Sequence, residues 1–81
     1  KRMTMLNTEY TDELDILAKY NLNSIQEGLK IHHDAPENIK QAAIRLFHKG
    51  LITQEDGGYL TDRGIEAAEH IQRALNIIRP N

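Results

Sequence analysis

Leu46-Phe47-His48-Lys49-Gly50-Leu51-Ile52-Thr53-Gln54-Glu55-Asp56-Gly57-Gly58-Tyr59-Leu60-Thr61 reads as a helix end, a strand, a tight turn, a second strand and the start of another helix. Gly50 stands where the chain leaves the first of these helices, a place that calls for a left-handed backbone. Leu51-Ile52-Thr53 has the β-branched character of a strand. Asp56-Gly57-Gly58 is a hairpin signal, because favoured short turns need positive φ. Tyr59-Leu60-Thr61 returns as the second strand. Thr61 then suits the N-cap of a last helix, with Asp62 where negative charge complements the helix dipole.

This order, with Lys49-Gly50-Leu51-Ile52, then Gly58-Tyr59-Leu60-Thr61 and Gly64, resembles the wing of winged helix-turn-helix domains of the MarR and PadR type. The resemblance implies a mainly α fold with a small β-hairpin, in the order helix–helix–helix–strand–strand–helix. Winged helices bind DNA, but they also serve as protein-interaction modules, so the resemblance bears on fold more than on function.

Working outward, the upstream helix is expected to start at Asp34-Ala35-Pro36-Glu37, with Asp34 or Ala35 as its N-cap, and to run to about Lys49. Pro36 would sit in its first turn, and Glu37 would close a capping box on Asp34. Ile39, Ala42, Ala43, Leu46 and Phe47 form its apolar stripe. Before it, a second helix is expected over about Ser24–His32, opened by a Ser24/Glu27 capping box or by Asn23 with Gln26. Gly28 would lie mid-helix at a close helix–helix contact. The first helix is expected from Thr8 or Thr11 to Tyr20, with Tyr10, Leu14, Leu17 and Ala18 inward. Glu9, Asp12, Glu13 and Asp15 read as a solvated acidic face. Residues 1–7 are expected as a flexible tail, and residues 8–79 as one domain. The last helix spans 61–79 and carries Ile65, Ala67, Ala68, Ile71, Ala74, Leu75, Ile77 and Ile78. That stripe is wider than one small core needs, so Ile71, Leu75 and Ile78 are candidates for a homodimer interface.

The chain has 81 residues and no cysteine. It suits one small domain without disulfides or thiolate metal sites. No apolar run is long enough to cross a bilayer and no signal-peptide core is present, so a cytoplasmic location is expected. His32-His33-Asp34 invites a metal reading, but adjacent helical residues point about 100° apart. One histidine is expected to pack at the turn and the other to be solvated. No phosphate-cradling glycine loop or nucleophile–base pair is present, and Ser24, the single serine, is accounted for by capping. Neither enzyme activity nor a cofactor is expected.

The function expected from the resemblance is that of a winged-helix DNA-binding protein or transcriptional regulator acting as a homodimer, in which Asn38, Lys40, Gln41 and Arg45 would meet base edges and phosphates, helped by Lys49 and Arg63. Two features oppose it. The net charge is −2, whereas phosphate binding favours a basic excess. Glu37 at the helix start and Glu55-Asp56 at the wing tip would repel DNA. The turn His33-Asp34-Ala35-Pro36 also departs from the usual glycine and small apolar residue. The alternative is a winged-helix protein-interaction module that does not bind DNA. The whole chain resembles a small bacterial family of uncharacterised proteins. The shared residues are Asn21-Leu22-Asn23-Ser24 with Gln26-Glu27-Gly28, the His32-His33-Asp34-Ala35 turn, and the Lys49–Thr61 hairpin region.

Overall fold

The computed structural model describes residues 7–80. The expected tail at residues 1–6 lies outside them. Asn7 belongs to the fold, because its Oδ1 accepts the Tyr10 N–H at 2.9 Å and caps the first helix. The order is α1 (Thr8–Ala18), β1 (Leu29–Lys30), α2 (Glu37–His48), β2 (Ile52–Gln54), β3 (Gly57–Leu60) and α3 (Asp62–Ile78). The fold is therefore mainly helical, with a small antiparallel sheet of strand order β1-β3-β2.

The helix expected over Ser24–His32 is absent. Asn23 donates its N–H to Asn21 Oδ1 at 2.9 Å, and Glu27 donates its N–H to the Ser24 carbonyl at 2.9 Å. The supposed capping box is a turn. Asparagine side chains compete with the helix for backbone groups, and Gly28 weakens it further. Nine residues gain too little from propensity to resist. Leu29 instead pairs with Gly58, and Lys30 with Gly57. Gly28 marks a close approach to the sheet, since a Cβ there would stand 3.1 Å from the Gly58 carbonyl oxygen. Three helices are present among the described residues, and α2 is entered from a strand.

The end of α2 behaves as its sequence demands, but the hairpin turn is Glu55-Asp56 instead of Asp56-Gly57-Gly58, since Gly57 and Gly58 already belong to β3. Gly50 has φ +81°. Its N–H bonds the Phe47 carbonyl, while the Leu51 N–H reaches back to Leu46, both at 3.0 Å. This pair of bonds is the Schellman ending. Ile52 then pairs with Leu60 and Gln54 with Gly57. Positive φ falls on Gly57 and Gly58. Thr61 works twice. Its hydroxyl accepts the Gly64 N–H at 3.1 Å, capping α3, and donates to the Gly50 carbonyl at 2.6 Å.

At the start of α2 the expected capping box is not made. Pro36 is the N-cap, extended at ψ 143°, and no side chain caps the helix. Proline disfavours helical geometry in the preceding residue, so the His32–Ala35 turn, closed by the Ala35 N–H on the His32 carbonyl at 3.0 Å, does not run on into the helix, which begins at Glu37. The Glu37 carboxylate turns to Gln41 and Lys40 instead of Asp34.

Ile16, Leu17, Tyr20, Ala42, Ala43, Leu46, Ile52 and Ala68 form the core. Ile39 and Phe47 pack against it. The inward face of α1 is turned by about one residue from expectation, with Glu13, Ile16 and Leu17 buried and Tyr10 exposed. No helix among the described residues is long and apolar enough to cross a membrane.

Candidate functional site

Two surfaces carry the residues singled out by the sequence, and they differ in how much of their chemistry is already engaged. The first is α2 with the hairpin. Asn38 and Gln41 lie exposed on α2. Gln41 Nε2 donates to Glu37 Oε2 at 2.8 Å. Lys40 Nζ donates to the His33 carbonyl at 2.8 Å and lies 3.4 Å from Glu37 Oε1. The Gln41 bond, with help from Lys40, holds the Glu37 carboxyl below its usual range.

Arg45 and Lys49 turn away from that face and converge on α1. Arg45 Nε donates to Glu13 Oε2 at 2.7 Å, and Lys49 Nζ to Glu13 Oε1 at 2.5 Å. Arg45 Nη2 also reaches the Glu9 carbonyl at 3.3 Å. Lys49 Nζ stands 5.2 Å from the centre of the Tyr10 ring, within cation–π range. Glu13 is only 5% exposed, so the expectation of a wholly solvated acidic face fails at this residue. The bond to Glu13 holds the Arg45 guanidinium still more firmly protonated. Arg63 is exposed at the start of α3 and joins neither group.

At the hairpin, Lys30 Nζ donates to Asp56 Oδ2 at 2.6 Å, which ties β1 to the turn and holds the Asp56 carboxyl low. Glu55 is exposed beside it. A depression of about 280 Å³ between β1, α2 and the turn is lined by Lys30, His32, His33, Lys40 and these two acids. Both His32 and His33 are exposed, so neither packs at the turn as expected. No three His, Asp or Glu side chains cluster as a metal site among the described residues.

The second surface lies between α1 and α3. Gln72 Nε2 fastens α3 to the end of α1, donating to the Tyr20 carbonyl at 2.8 Å and the Leu17 carbonyl at 3.2 Å. Beside this clamp runs a groove of about 280 Å³, lined by Leu14, Ala18, Ile71 and Leu75 with Thr11, Asp12 and Asp15 at its edge. Ile71 also packs on the core. Ile78 continues the same helical stripe but is 74% exposed, and its neighbour Ile77 is 84% exposed. The three residues expected at a dimer interface thus grade from core to groove to solvent.

Sequence reasoning missed Glu13 and Gln72. A signal existed for Glu13, since residues 13, 16, 17 and 20 share one helical face and a carboxylate among them has to be paired. Gln72 has no comparable signal, because its partners are carbonyls more than fifty residues away.

Residues 4–79 match the model of a family of unknown function (DUF5669), and the chain belongs to that family. No curated protein and no solved structure matches the chain.

Proposed function

We propose that this member of the DUF5669 family is a winged-helix-like protein-interaction module without catalytic chemistry of its own, and that its contact surface is the α1–α3 groove. The observation that carries the reading is the state of the cations around α2. Arg45 and Lys49 are bound to Glu13, Lys40 to the His33 carbonyl and Glu37, and Lys30 to Asp56. A phosphate backbone would have to compete with these partners, in a chain that carries net negative charge. The groove, by contrast, offers apolar surface that no other part of the described chain covers.

The winged-helix assignment draws support from the helix that runs through a Schellman ending into a hairpin, and from a first strand that pairs with the last. It departs from that pattern in lacking the helix expected before α2. One observation favours a second reading, duplex DNA binding: α2 leads directly into the hairpin and leaves Asn38, Gln41 and His48 exposed.

Fluorescence anisotropy with mixed-sequence duplex DNA at low and high salt separates the two. The interaction-module reading predicts no binding even at low salt, where non-specific phosphate contacts are strongest. Micromolar binding that weakens steeply with salt, and that Asn38→Asp with Lys40→Glu abolishes, would establish the DNA reading instead.

A further inference from the structure

Resting on the groove as the contact surface, we infer that its occupant is the end of α3 from a second copy of the chain, inserted reciprocally. Helix α3 has 17 residues and α1 has 11. The end of α3 carries Ile77 and Ile78, the two most exposed of the large apolar side chains. An isolated surface isoleucine is ordinary, but Ile78 lies on the same helical stripe as Ile71 and Leu75 of the groove, and Ile77, about 100° round the helix, widens the apolar end.

The spacing makes the match self-complementary. Ile71, Leu75 and Ile78 recur at i, i+4 and i+7, nearly symmetric about Leu75. Two α3 helices laid antiparallel along this stripe place Leu75 near the two-fold axis. Ile78 of each copy then falls beside Ile71 and the groove of the other. Such an interface is isologous and closes at two copies.

Charge points the same way. Asp12 and Asp15 stand at the groove edge, and Asp15 has only an exposed 3.7 Å pairing with Lys19. Arg79 follows Ile78, is exposed, and makes no ion pair among the described residues. In the antiparallel arrangement Arg79 passes the other copy's Ile71 and meets its acidic edge.

Sedimentation equilibrium of the full chain tests this. The expected result is a dimer with a dissociation constant in the micromolar range. Ile78→Glu should weaken it at least tenfold while the helical circular dichroism is kept, since Ile78 contributes little to the core. Arg79→Asp and Asp15→Arg should each weaken it, and the two together should restore much of the loss. A chain that stays monomeric at millimolar concentration, an Ile78→Glu dimer as tight as the parent, or a charge exchange that restores nothing would overturn the inference. Titration with a synthetic Lys/Leu amphipathic helical peptide, followed by NMR, distinguishes the two levels. Shifts at Leu14 and Leu75 in a monomeric chain would keep the groove as a contact surface and remove the second copy as its occupant. Absence of both dimer and peptide shifts would remove the groove reading as well.

Discussion

Truncating Glu13 to alanine leaves Arg45 and Lys49 side by side without their shared carboxylate. Breaking a fully buried ion pair costs about 3–5 kcal/mol. Lys49 is 45% exposed and solvent screens it, so the expected loss is nearer about 2 kcal/mol, measured by urea denaturation. Glycines make a second contrast. A Cβ at Gly64 would collide with the Leu51 carbonyl oxygen, whereas one at Gly50 meets nothing within 4 Å. Gly64→Ala should therefore cost about 3 kcal/mol through overpacking. Gly50→Ala should cost only the left-handed backbone penalty, about 1–2 kcal/mol. Thermal melts of both variants check the order. Tyr20 sets the alkaline limit. It is buried, its hydroxyl donates to the Gly58 carbonyl at 3.3 Å, and burial pushes its pKa from 10.0 up to about 12. A raised folded-state pKa means that the contribution is complete below about pH 10 and is lost as pH rises through about 12. Ultraviolet titration should show a tyrosine ionising late, and Tyr20→Phe should remove that step.

At the scale of elements, the hairpin and the helices flanking it were legible because their signals are local. Gly50, Gly57, Thr61 and the stripe Ala42-Ala43-Leu46 each act within a few residues. The segment Ser24–His32 was misread because Ile25 and Leu29 stand at i and i+4, and Leu29 with Ile31 equally fits a strand. The decision lies with Gly57 and Gly58, far along the chain, whose backbone offers β1 a partner. Long-range pairing of this kind overrides weak local preference. Thr61 links the elements most directly, as the cap of α3 and the donor to Gly50. Thr61→Ala should cost about 0.5–2 kcal/mol, the range for a lost N-cap, while Thr61→Ser should keep most of the stability. On the acid side, Lys30 and Gln41 hold Asp56 and Glu37 low. A depressed carboxylate stabilises above its unfolded pKa, so these contacts are lost as pH falls through the folded-state values. NMR titration of the two carboxyls should show both below their usual range.

For the molecule as a whole, the candidate site was legible only in part. The sequence placed Asn38, Lys40, Gln41, Arg45 and Lys49 on one helix, and it raised the objection of an acidic balance. It could not reveal that α1 turns a carboxylate onto Arg45 and Lys49, because that contact bridges more than thirty residues. It did point to Ile71, Leu75 and Ile78, whose period is local, but the groove that gives them meaning exists only once α1 lies beside α3. A chain of this size buries a modest core, and apolar surface left on two packed helices is where a partner gains most. The most direct test is a ¹H–¹⁵N correlation spectrum of the full chain from micromolar to millimolar concentration. Self-association through the groove predicts shifts confined to α1 and the second half of α3, with Asn38, Gln41 and the hairpin unmoved. An unchanging spectrum, or shifts centred on α2 and the hairpin, would contradict it.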